Sequence, residues 1–165
     1  MKFENLQDIQ KYVEKITPEL LTGKEIKDEL SKRMNRSVRK HVYRAYRPTE
    51  YPRRKDDGGL SDVRNMQFTL WYVDNRIAHV LFENLTAGQD HYLPIYDFDV
   101  DTLDGYIITD VIEEGGEGGD WYLDGKWSYP RPFVAETIED IKRNPKNLFQ
   151  AIKAAYGRAG FGYKL

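Results

Sequence analysis

Residues Met66–Leu85, MQFTLWYVDNRIAHVLFENL, decide how the rest of the chain is read. Met66, Phe68, Leu70 and Tyr72 alternate with Gln67, Thr69, Trp71 and Val73, the period of a β-strand. Asp74-Asn75 follows, and both residue types tolerate positive φ, so the pair suits a two-residue turn. From Arg76 the alternation resumes. Ile77, His79, Leu81 and Glu83 fall on one face; Ala78, Val80 and Phe82 fall on the other. The middle of the chain is therefore a hairpin.

Toward the N-terminus the period becomes helical. Leu6, Ile9, Val13 and Ile16 form one stripe, which predicts a helix over Phe3–Ile16. Thr17-Pro18 predicts a restart, with Thr17 as N-cap and Pro18 in the first helical position. Ile26, Leu30, Met34 and Val38 recur every four residues and predict a second helix from about Lys24 to about Arg39. VYRAYRP, from Val42 to Pro48, reads as a strand that stops at its proline. TEYPRRKDDGGLSDVRN is polar and aperiodic, so 48–65 is expected to be a long exposed loop or β-arm.

Toward the C-terminus, Thr86–Tyr106 reads as a polar connection and Tyr106–Glu114 as a short helix with Ile107, Ile108, Val111 and Ile112 inward. GGEGG then breaks regular structure. Asp120–Tyr129 reads as a short strand or loop around Trp121 and Trp127. PRPF opens a helix over Phe133–Arg143, and Pro145 starts a last helix that stops at Gly157. The order is helices, strands, helices, which makes the chain α+β. Its 165 residues fit a single domain, 1–165. Residues 1–40 would be helical, 41–129 a β-rich core built on a twisted antiparallel sheet, 130–157 helices packed on that sheet, and 158–165 a mobile tail.

The residues nominate no chemistry. Without cysteine there is no disulfide, thiolate metal site or cysteine nucleophile. His41, His79 and His91 do not stand at metal-ligand spacing. DFDVDTLDG begins like a calcium loop, but its glycine comes three positions late and Ile108 replaces the closing glutamate. Nucleophile elbow, P-loop and dinucleotide fingerprint are missing, and GGEGG is not followed by a lysine and helix. Glu113 and Glu114 diverge on a helix. No catalytic residue, metal ligand or cofactor is nominated, and no enzyme is expected. MKFENLQDIQKYVEK has no apolar signal core, and no apolar run reaches the roughly 20 residues of a membrane span, so no membrane partner is expected.

The charges are patterned along the chain. Net charge is −2, from 25 basic and 27 acidic residues. The signs are segregated: Lys32, Arg33, Arg36, Arg39, Lys40, Arg44, Arg47, Arg53 and Arg54 lie together, while 90–124 is acidic. Such a chain could join its own copies head to tail, but on charge alone two solvated faces of a monomer are the favoured reading. Within the loop, Arg53-Arg54-Lys55 suits carboxylate or phosphate, partly offset by Asp56 and Asp57. A contact with a neighbouring subunit is the favoured reading and the nucleic-acid backbone the alternative.

The order of several motifs resembles the small neck or tail-component family of long-tailed bacteriophages. The matching residues are Tyr51, Arg53, Arg54, Gly58, Gly59 and Leu60 for a Tyr-x-Arg-Arg to Gly-Gly-Leu loop. Ile112, Glu113 and Gly115 match an Ile-Glu-x-Gly turn, and Pro130, Arg131, Pro132 and Phe133 match a Pro-Arg-Pro-Phe helix start. The resemblance spans roughly Val42–Lys142. It implies a non-enzymatic virion protein of the head–tail connector, a neck, tail completion or tail terminator component. Such a protein would form a hexameric or dodecameric ring around the DNA channel and be assembled in the host cytoplasm. Its partners would be its own copies, neighbouring connector and tail proteins, and packaged DNA through non-specific contacts. Tyr51, Arg53, Arg54, Lys55, Gly58, Gly59 and Leu60 would face a neighbouring subunit or the channel. Glu113, Trp121, Trp127, Arg131 and Phe133 would be partner contacts. The alternative is a small nucleic-acid-binding regulator using the basic 32–54 segment.

Overall fold

A computed structural model describes residues 4–45, 53–72, 78–88, 91–93, 98–100, 108–115 and 129–161. The fold is α+β, and the chain forms two compact units, each gathered from separate stretches. Unit 1 comprises Met1–Ser31, Phe68–Phe82 and Asn144–Leu165; unit 2 comprises Lys32–Gln67 and Glu83–Arg143.

In unit 1, helix α1 runs from Leu6 to Leu21, and the Asn5 side chain caps it by accepting the Asp8 N–H at 2.9 Å. The expected restart at Thr17-Pro18 does not occur, because Pro18 lies inside α1. It sits in the last stretch of the helix, where the hydrogen bond it forfeits is one turn from the end. Its carbonyl still accepts the Thr22 N–H at 3.0 Å, and Thr17, freed from capping, pairs its hydroxyl with Tyr156 at 3.2 Å. That contact joins α1 to α5, Lys146–Tyr156. After α5 the chain continues as a π turn, Gly157–Phe161, with Gly160 at φ 91°. Phe161 brings its ring 5.8 Å from Tyr12 and 6.3 Å from Tyr156. The tail expected to be mobile is thus packed as far as Phe161, and 162–165 lie outside the described residues.

The hairpin strands form as read. β1, Met66–Tyr72, and β2, Ala78–Asn84, are hydrogen-bonded neighbours, and so short a connection permits only the antiparallel arrangement. Phe68 and Phe82 stack across the pair with ring centroids 5.2 Å apart. The Asp74-Asn75 turn lies outside the described residues.

In unit 2, α2 (Lys24–Ser37, entering from unit 1) runs on as a π turn, Val38–Tyr43. The strand expected from Val42 therefore starts as helix, while Tyr46–Pro48 lie outside the described residues. The four-residue apolar seam continues past Val38: Met34, Val38 and Val42 are all buried, and that shared face outweighs the β preference of Val42 and Tyr43. Helix α4, Phe133–Arg143, packs on this turn. Buried Arg33 donates to the Asp140 carbonyl at 3.1 Å and to its carboxylate at 3.0 Å. Short α3, Thr109–Glu114, packs against α4 and buries Ile112. The connection expected after Thr86 holds a second antiparallel pair, β3 (His91–Leu93) with β4 (Phe98–Val100), in the register His91↔Val100 and Leu93↔Phe98. Strands of that length carry no readable period.

Candidate functional site

The loop expected to be exposed is built into unit 2. Gly59, Leu60, Ser61 and Asp62 are buried, and a 3-10 turn, Val63–Asn65, leads into β1. Gly58, at φ 75°, turns the chain. At Gly59 a Cβ would stand 2.6 Å from both the N and the O of Lys55, so only glycine lets the two backbones pass.

Asp62 locks this turn. Its carboxylate accepts the N–H of Gly58 at 2.7 Å and of Arg64 at 2.9 Å, and it takes the Arg64 guanidinium through Nε at 2.9 Å and Nη2 at 2.5 Å. The guanidinium first, and then the two amides, hold the Asp62 carboxyl far below the usual range. Arg64 is in turn pushed up by Asp62 and Asp57. On the inner side, Asn84 donates to the Leu60 carbonyl at 2.7 Å, and Asn65 and Thr86 donate to the Gly59 carbonyl at 3.2 and 3.3 Å. Thr109 donates its hydroxyl to the Asn84 carbonyl, which ties α3 to the end of β2. The Tyr43 hydroxyl accepts the Ser61 N–H at 3.2 Å.

The two arginines of the motif brace the same loop. Arg53 donates to the Tyr43 carbonyl at 2.6 Å and lies over the Tyr43 ring, 5.1 Å from its centroid. Arg54 donates to the Ala87 carbonyl at 2.5 Å. Lys55, at φ 49°, and Asp56 and Asp57 form the exposed tip.

Glu113 meets the start of α4 at a second place. The Glu113 carboxylate accepts the N–H groups of Val134 and Ala135, both at 2.8 Å, and so caps α4 from outside. Arg131 is buried, and its N–H bonds the Ile112 carbonyl at 2.9 Å. Phe133 has no exposed surface. Expected at a partner surface, it is core, because it opens α4 on the face turned to the protein. Tyr51, Trp121 and Trp127 lie outside the described residues.

The structure therefore gathers Arg53, Arg54, Gly58, Gly59 and Leu60 in one place and Glu113, Arg131 and Phe133 in another. Tyr43, Asp62, Arg64, Asn84, Thr86 and Thr109 complete the loop's network and were not singled out from the sequence. Asp62 and Arg64 stand two apart directly after Gly-Gly-Leu-Ser, a spacing that an Asx turn at the head of a 3-10 turn would have suggested. Among the described residues no group of three His, Cys, Asp or Glu could hold a metal ion, and no helix is long and apolar enough to cross a membrane.

An α+β chain whose most elaborate polar network stiffens a loop is thus defined by that loop. The chain belongs to the YomN family, whose model matches residues 5–158. The family is phage-associated, named from an SPβ-like prophage, and this is a phage protein. Comparisons with the curated proteins and with the solved structures return no match.

Proposed function

We propose that this phage protein is a structural, non-enzymatic part of the virion, a component of the head–tail connector that repeats as a ring and joins head-closure proteins to the tail. The observation that carries the reading is the locked loop. Buried Asp62 and the Asn84–Thr86 network hold residues 53–65 in one shape, with the charged tip outward. A stiff loop presents the same surface in every copy, which is what a repeated interface requires. The Tyr51–Leu60 and Pro130–Phe133 motifs, and the family's phage association, support the same reading.

The test is mass spectrometry of purified particles from a phage carrying this gene, with electron microscopy of particles made without it. The expected result is the chain in several copies per virion, and heads and tails left unjoined in its absence. A chain abundant in infected cells but missing from virions would overturn the proposal. A second reading, a nucleic-acid-binding regulator, draws on the exposure of Lys32, Arg36, Arg39, Lys40 and Arg44. It requires duplex-DNA binding that weakens steeply with salt, and flat titrations at low salt would eliminate it.

A further inference from the structure

We infer that the exposed basic row on α2 and its π turn is the docking face for the acidic segment of a second copy of this chain. The inference rests on the connector reading and names one contact within the ring. Helical spacing builds the row. Arg33, Met34, Val38 and Val42 turn inward and are buried, which leaves Lys32, Arg36, Arg39, Lys40 and Arg44 on the outer side. Arg36 and Arg39 keep 64% and 61% of their side chains exposed. The acidic groups nearest them are Asp140, 3.9 Å from Arg36, and Asp56, 3.5 Å from Arg39, distances at which exposed pairs contribute little. Lys32, Lys40 and Arg44 have no acidic partner among the described residues. At helical rise the row is roughly 18 Å long.

The complement is in the same sequence. Residues 32–49 contain no Asp or Glu, and residues 90–124 contain no Lys or Arg. The acidic stretch includes Asp97, Asp99, Asp101, Asp104, Glu117 and Asp120. Like faces repel and unlike faces attract, so this segregation disfavours a two-fold pair of basic rows and favours a head-to-tail contact. A head-to-tail contact is heterologous, the kind that closes rings.

Three full-length chains test it by sedimentation velocity, with circular dichroism to confirm folding. They are the wild type, a reversed row (Lys32→Glu, Arg36→Glu, Lys40→Glu, Arg44→Glu), and a neutralised segment (Asp97→Asn, Asp99→Asn, Asp101→Asn, Asp104→Asn). The wild type is expected to self-associate at low salt and to weaken at least about tenfold at roughly 0.5 M salt, where charges are screened within a few ångströms. Each variant alone stays monomeric. Their equimolar mixture associates again, because the basic row kept by the neutralised chain meets the acidic segment kept by the reversed chain. If the neutralised chain does not fold, the reversed row alone decides.

A wild type that stays monomeric at low salt would overturn the inference, as would association untouched by the reversal. Plain duplex DNA bound by the wild type and released by the reversed row would make the row a nucleic-acid face instead, and would also overturn it. Particle composition keeps this apart from the connector reading. Presence in virions with association that ignores the charges sinks only the docking face. Absence from virions with association that follows them sinks only the connector.

Discussion

Asp62 is a carboxylate that water barely reaches, and four N–H bonds converge on it from Gly58 and Arg64. Its pKa is depressed from an ordinary value near 3.8, so its contribution to stability is fully present above that value and is lost as pH falls through the folded value. Asp62→Asn is expected to lower Tm by several degrees at neutral pH. The gap from wild type should narrow as pH drops below about 4, measured by thermal melts across a pH series. A gap that stays constant or widens on acidification would show that the carboxylate's charge is not what holds the turn. The adjacent glycines separate two causes. Gly58 needs only a positive φ, which asparagine accepts, so Gly58→Asn should cost less than about 1 kcal/mol. Gly59 must admit the Lys55 backbone, so Gly59→Asn should cost about 1–3 kcal/mol in urea denaturation. Equal costs would refute that assignment. At this scale the sequence shows the loop's punctuation, Arg53-Arg54 and Gly58-Gly59, because turn chemistry is local. It does not show that Asn84, Thr86 and Thr109 close on the loop from 20 or more positions away, because a hydrogen bond between distant residues leaves no period.

Among the elements, the segment 34–43 shows two local signals in conflict. Val42-Tyr43 favours a strand, yet Val42 also extends the seam Met34–Val38 by one more helical step, and the seam prevails because α4 covers it. Val38 is fully buried, so Val38→Ala is expected to cost about 2 kcal/mol, while Arg39→Ala on the outer side should change stability by no more than about 0.5 kcal/mol. Chemical denaturation of the two variants checks this, and comparable losses would mean that the seam is not the helix's buried face. The start of α4 makes a second case. PRPF marks where the helix opens, but Pro-Arg-Pro offers no side-chain acceptor, and it is Glu113 from α3 that caps the first turn. Glu113→Ala should destabilise by about 1 kcal/mol and Glu113→Gln by less, since the amide oxygen still accepts. In the sequence Glu113 belongs to an Ile-Glu-x-Gly turn and Phe133 to a separate Pro-Arg-Pro-Phe start, and both are expected at a partner surface. The capping bond spans two helices, and only the fold brings them together.

For the whole molecule, the helix–strand–helix order is readable from periodicity, but the partition into units is not. Unit 1 collects α1, the hairpin's middle and the last helix, three stretches that share no motif. Its α1 is a 16-residue helix, and such a helix draws most of its stability from the packing of its apolar face. That cover includes α5, through Thr17–Tyr156, and the π turn, through Tyr12–Phe161. The hydrogen bonds that lock unit 2's loop run between residues 43 and 109. A chain ending at Arg143 should therefore divide by unit when followed by hydrogen exchange. Amides of α1 from Val13 to Leu21 should lose protection by tenfold or more, a fall of roughly 1.4 kcal/mol in opening free energy. The amides of Asp62, Arg64 and Leu85, bonded to Gly59, Asp62 and Asn65, should keep theirs. Protection lost across the loop as well would mean that its network depends on residues after Arg143. A stiff loop that survives the loss of the last helix is instead a self-sufficient surface, which is the property that identical contacts in a ring demand.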